Sequence, residues 1–193
     1  MRPRVVVGVL AVLLAAGLGG SAQQPKGKKG KAKEEKLPIN EKVVEFAKKN
    51  LGQQVGNGEC WALANQAVYG AGGKSSPGYT DTPNKGDYVW GELVYAVEVK
   101  DGKATETGSV AKVKPGDVVQ FRDTKLAGRR PGGGTYTMSF SHHTALVETV
   151  NPDLKVVGVL HQNFAGKKTV TETTLTLTDI QGGWLRFYRP QPR

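Results

Sequence analysis

The spacing of apolar residues changes several times along this chain. Residues 5–18 are almost continuously apolar, preceded by Arg2 and Arg4 and followed by Gly19, Gly20, Ser21 and Ala22. Residues 23–36 contain no large apolar side chain. Val43, Val44 and Ala47 then recur at helical intervals, with Asn40 placed to cap the helix and Asn50 and Gly52 placed to stop it. A second helix is predicted over 59–71. Trp61, Leu63, Ala64, Ala67 and Val68 supply its apolar face, Asn57 or Gly58 its cap, and Gly72 and Gly73 its end. Beyond it the period shortens to that of strands. VEVKDGKATET reads as a hairpin turning at Asp101 and Gly102, KPGDVVQF as a turn entering a strand, and residues 135–150 as a longer strand after the glycine-rich RRPGGG. Asn151, Pro152 and Asp153 turn the chain into KVVGVLHQN, and WLRFYR supplies a final strand. Helices first and strands afterwards predict an α+β fold, with N-terminal helices packed on an antiparallel β-sheet.

Composition assigns the first two segments. The apolar run is shorter than the about 20 residues a bilayer-spanning helix needs, and its charged, apolar and small-residue zones are those of a secretory signal, 1–22, cleaved after Ala22. Export to the cell envelope or medium follows as the expectation, with no stable membrane span after cleavage. The Lys-rich stretch 23–36, QQPKGKKGKAKEEK, cannot bury enough surface to offset chain ordering and reads as a basic disordered tether. Of the formal net charge of +10, more than half falls in these two segments, so the remainder is only mildly basic. An anionic cell-wall polymer is a possible partner for the tether. Nucleic acid is disfavoured by export and by the lack of a recognition motif. Residues 37–193 suit one domain with one core, expected to be a monomer.

Cys60 is the only cysteine in the sequence. An exported protein retains a lone thiol either as an inert core residue or for its chemistry. Its expected place in the first helical turn exposes it to unpaired backbone N–H groups and the helix dipole, which lower a thiol pKa, while Glu59 opposes this. The three histidines, His142, His143 and His161, all lie on predicted strands. By alternation His143 shares a face with Ala145 and Val147, and His142 shares the other with Thr144 and Leu146. His161 and Asn163 share a face from which Gln162 points away. A thiol at a helix start, an imidazole on one strand and a polar side chain on the next make a nucleophile, base and orienting group. His142 reads as a surface or loop residue. Trp61, Tyr79, Tyr88, Trp90 and Tyr95 read as core aromatics, and Arg129 and Arg130 as part of a surface turn able to meet an anionic substrate group. Two competing classes stand beside the cysteine hydrolase. A zinc-dependent hydrolase is disfavoured, because HExxH is absent and adjacent His142 and His143 project to opposite faces. A noncatalytic wall-binding or scaffold protein could use the same fold.

GECWALA, KPGDVVQF, HHTALV and HQN, in that order, resemble the papain-like cysteine hydrolases of the compact NlpC and CHAP type, whose members commonly cleave amide bonds in bacterial peptidoglycan. The resemblance implies a papain-like compact core acting without cofactor or metal on peptidoglycan or another peptide substrate. It implies Cys60 as nucleophile, His143 as base, and His161 or Asn163 as the group orienting His143. GECWA also resembles the nucleophile region of the larger papain enzymes. They place an oxyanion-hole glutamine six residues ahead of the cysteine, where this chain has Gln54, with Gln53 beside it as the alternative. CHAP sequences often read Glu-Gln-Asn where this chain reads His161, Gln162 and Asn163, so an imidazole occupies the carboxylate position.

Overall fold

The computed structural model describes residues 37–76, 87–130 and 132–193. The expected signal and tether, and Tyr79, lie outside the described residues. The first helix, α1 (Ile39–Lys49), starts directly after Pro38, whose fixed φ and missing N–H suit a helix entrance. Asn40, expected as its cap, lies within the helix, and its amide donates instead to Asp117 Oδ1 at 2.7 Å. The second helix, α2 (Cys60–Gly70), begins at the cysteine itself, with Glu59 extended ahead of it and no side-chain cap. Asn57, the other expected cap, accepts from the Glu59 N–H at 3.1 Å.

Seven strands follow: β1 (Glu92–Lys100), β2 (Lys103–Gly108), β3 (Val118–Arg129), β4 (Thr135–Asn151), β5 (Val156–His161), β6 (Thr171–Thr176) and β7 (Ile180–Arg189). They form one sheet in the order β2-β1-β7-β3-β4-β5-β6, and all its strand pairs are antiparallel. The β1–β2 turn uses Asp101 and Gly102, both at positive φ, as a two-residue hairpin of this twist requires. β6 has no counterpart in the sequence reading, because its alternation is of threonines rather than of apolar residues. β3 also runs well past the expected Phe121.

The expected architecture of N-terminal helices packed on an antiparallel sheet is corrected here. Among the described residues the chain is mostly one seven-stranded antiparallel sheet with two short helices. Its larger core joins Tyr95 and Val97 of β1, Val119 and Phe121 of β3, Ala145 and Val147 of β4, Val157 and Val159 of β5, and Leu185 and Phe187 of β7, and no residue of either helix belongs to it. The sheet therefore buries one face largely with its own side chains. Alternation along the strands puts Val118, Leu146, Leu160 and Tyr188 on the opposite face, where a smaller cluster collects Val43, Ala47, Leu63, Ala67 and Val68 of the helices.

One polar tie fixes the start of β3 relative to α1. Gly116 has φ +83°, and a side chain there would collide with the backbone of Asn40. Asp117 is fully buried and accepts from Asn40, the Lys114 N–H and the guanidinium of Arg189, with Arg189 Nε at 2.8 Å. The Gly-Asp pair ahead of the apolar strand thus joins helix, turn and the end of β7.

Candidate active site

Cys60 opens α2 and is only 7% exposed. The backbone N–H groups of Thr144, Trp61 and Cys60 itself face its sulfur and favour a thiolate. Burial outweighs them and raises the thiol pKa above its ordinary value, with the Glu59 charge adding to the rise. The expectation that the helix start would lower this pKa is therefore corrected: the resting thiol is neutral because desolvation exceeds the dipole contribution. Glu59 is turned aside, its carboxylate taken by Lys168 and by Asn163 Nδ2, the latter at 2.7 Å.

The site lies where two strands part. The β4–β5 pairing reaches toward it as far as Leu146 and Leu160. Past that point the Thr144 N–H faces the cysteine, and the next contact between the strands runs through side chains, His143 Nε2 to His161 Nδ1 at 2.8 Å. His161 Nε2 continues the chain to Thr173 Oγ1 on β6, also at 2.8 Å. Both imidazoles are almost fully buried, and Phe140 and Phe164 pack against them: the Phe164 ring centroid lies 4.8 Å from that of His161, and Phe140 5.2 Å from that of His143. Desolvation, joined by the charges of the facing His161 and of neighbouring His142, pushes the His143 pKa down to about 3, and desolvation alone lowers His161 to about 4. Both rings are neutral at ordinary pH.

The sequence candidates separate into distinct places. Of the two possible orienting groups, His161 contacts His143 while Asn163, at φ 58°, holds Glu59. Gln54 is exposed and its amide donates to Gly56 O at 3.3 Å within its own loop. Among the described residues no hydrogen bond joins the Cys60 sulfur to an imidazole; Thr144, adjacent to His143 in sequence, is what links the two. His142 lies on the opposite side of β4. Its Nε2 is 3.1 Å from Gln120 Nε2, and Gln120 Oε1 accepts from Trp90 Nε1 and Thr144 Oγ1. The surface assignment of His142 thus gives way to a half-buried place in a polar cluster.

Sequence reasoning passes over Gln162 because it points away from His161 and Asn163. It is fully buried and accepts from the Val55 N–H at 3.0 Å while donating to Val55 O and Glu59 O, both at 2.8 Å. It therefore clamps the loop that delivers Cys60. The signal that could have found it is an amide between two other polar residues at the end of an apolar strand. The three residues of HQN thus play separate roles, with His161 meeting the imidazole, Gln162 fixing the loop and Asn163 holding Glu59. Among the described residues no group of three or more His, Cys, Asp or Glu side chains is arranged to hold a metal ion.

A family model for the AIM3/BBC1 cysteine proteinase-fold domain matches residues 23–193. Altered inheritance of mitochondria protein 3 of Debaryomyces hansenii is 27% identical over 157 residues, covering 80% of this chain and 16% of that protein. The chain thus spans a small part of that relative's length. Among solved structures, the crystal structure of Ly7917 is 20% identical at TM-score 0.43, covering 80% of this chain and 63% of that one. A second structure, of Ly7917 with the hydrolyzing product of MDP, is 20% identical at TM-score 0.41, with coverages of 78% and 62%. The family match is to a cysteine proteinase fold and is coarser than the NlpC and CHAP branch.

Proposed function

The chain belongs to the AIM3/BBC1 cysteine proteinase-fold domain family, and we propose that it is a cysteine hydrolase of amide bonds in which Cys60 is the nucleophile and His143 the base. The observation that carries this reading is the hydrogen-bonded chain His143–His161–Thr173, which starts one residue from the amide facing the Cys60 sulfur. A base acting through His143 Nδ1 requires its Nε2–H to donate to His161 Nδ1. His161 Nε2–H then donates to Thr173 Oγ1, and both contacts allow this tautomer.

In the proposed reaction the thiol proton passes to neutral His143 as sulfur bonds to the amide carbonyl carbon. The resulting thiolate–imidazolium attraction and the amides of Thr144, Trp61 and Cys60 offset part of the burial cost. The imidazolium returns its proton to the leaving amine, and water hydrolyses the thioester. The neutral resting pair assigns proton transfer to the moment of attack. Peptide stems of peptidoglycan are the proposed first substrate class, on the resemblance of GECWALA, HHTALV and HQN to the NlpC and CHAP hydrolases. Export by residues 1–22, attraction of the tether to an anionic wall polymer and a monomeric state are proposed with it.

A second reading is favoured by the same burial. A thiol held neutral, 7% exposed and without an imidazole hydrogen bond also suits a noncatalytic binding module. Incubating the full-length protein and its Cys60→Ala variant with peptidoglycan and with a peptide library, followed by mass spectrometry of released fragments, separates the two. Fragments from the native protein and none from the variant are expected. No fragments from either would favour the binding module.

A further inference from the structure

We propose that the groove between the β3–β4 hairpin and the edge strand β6 is a subsite for an extended acidic segment of the peptide substrate, with its carboxylate held by Arg129 and Arg130. The inference rests on the hydrolase reading and adds to it the chemistry of the substrate.

The groove has a volume of about 750 Å3 and is bordered by Arg129 and Arg130 at the hairpin, Tyr136 and Met138 of β4, Phe164, and Thr173 of β6. Two of these residues connect it directly to the imidazole chain. Thr173 bonds His161 Nε2, and Phe164 packs on the His161 ring. A chain lying in the groove is thus separated from the histidines by one layer of side chains. β6 is the last strand of the sheet; residues 51–53 bridge Val170 just ahead of it, and beyond that bridge no strand among the described residues pairs with its outer edge, which is open to an extended peptide. Met138 and Phe164 offer apolar contact within the groove.

Charge selects the occupant. Arg129 and Arg130 are both exposed, and among the described residues neither lies within ion-pair distance of a carboxylate. The nearby carboxylate of Asp179 accepts from the Tyr136 hydroxyl at 2.7 Å. Beside the two guanidinium groups, Arg130 N–H donates to Gly134 O and Gly133 N–H to Arg130 O, each at 3.0 Å. A guanidinium matches a carboxylate in two parallel hydrogen bonds, which a neutral amide cannot reproduce.

The test uses full-length protein carrying Cys60→Ala, so that no probe is consumed. Fluorescence anisotropy would compare a fluorescein-labelled hexapeptide holding two Glu among Ala and Leu with its Gln counterpart. The acidic peptide is expected to bind about tenfold tighter. Arg129→Ala with Arg130→Ala should abolish that preference, and Arg129→Lys with Arg130→Lys should restore part of it. Equal affinity for the two peptides, or an unchanged preference in the double-alanine variant with an unchanged circular dichroism spectrum, would overturn the proposal. Displacement by inorganic phosphate at lower concentration than by the acidic peptide would also overturn it, by making the site one for phosphate. Turnover plays no part in this measurement. Hydrolysis by the native protein without an acidic preference would count against the subsite alone, and an arginine-dependent preference without hydrolysis against the hydrolase reading alone.

Discussion

At Gln162, one buried carboxamide satisfies two carbonyls and one N–H of the loop ahead of Cys60. Removing it leaves those groups in a site that excludes water, and an unsatisfied buried polar group costs about 1–3 kcal/mol. Gln162→Ala is therefore expected to destabilise the protein by about 2 kcal/mol in urea unfolding. It should also speed alkylation of Cys60 by iodoacetamide, because the loop that shields the thiol loosens. Unchanged labelling would show that the loop holds its place without the clamp. Residue identity singled out Cys60, His143 and His161 in the sequence as candidates, since few side chains perform nucleophilic and base chemistry. It could not reveal Gln162, whose importance lies in meeting backbone groups more than a hundred positions away. Nor could it give the balance at Cys60, where the amides at the helix start are present but burial is stronger.

Within elements, the segment entering β3 carries the strongest structural demand. Asp117 is completely buried, and the Arg189 guanidinium contacts it at 2.8 and 2.9 Å. Removing one member of such a pair leaves the other charge uncompensated, at a cost of about 3–5 kcal/mol when both are buried. Arg189 remains partly exposed, so the lower end applies, and Asp117→Ala is expected to lose about 3 kcal/mol by chemical denaturation. A loss below about 1 kcal/mol would mean that solvent already screens the pair. The motif KPGDVVQF was readable as turn and strand from Pro, Gly and the apolar run. What Gly116 and Asp117 are for was not readable, because the backbone of Asn40 and the side chain of Arg189 come from opposite ends of the domain. β6 is hidden for a related reason: apart from Glu172 its other side chains are threonines at a sheet edge, and only Leu175 reaches the core.

Over the whole molecule, two neutral histidines buried in the sheet make stability depend on pH. Their folded pKa values, about 3 for His143 and about 4 for His161, lie below the ordinary 6.5. The unfolded chain therefore takes up more protons as pH falls through 6.5, and stability present at neutral pH is lost in acid. Between pH 7 and 5 the expected loss is on the order of 2 kcal/mol per histidine, read as a falling urea midpoint. His161→Asn should flatten that slope, and an equal slope in the variant would place the proton uptake elsewhere. The order of helices and strands was legible from periodicity. The way the core is divided was not, because alternation along a strand marks two faces without saying which of them holds the larger core. That division puts His143 and His161 on the face of the larger core and gives them their aromatic surroundings.

Attack of Cys60 on a carbonyl with His143 as its base is tested most directly by an acid-quenched reaction with an activated peptide ester followed by intact-mass spectrometry. An acyl adduct mapped to Cys60 is expected in the native protein. Its formation should slow by about 100-fold in His143→Ala, and it should be absent in Cys60→Ala. An adduct that forms as fast without the His143 imidazole, or ester cleavage that persists without the Cys60 sulfur, would contradict it.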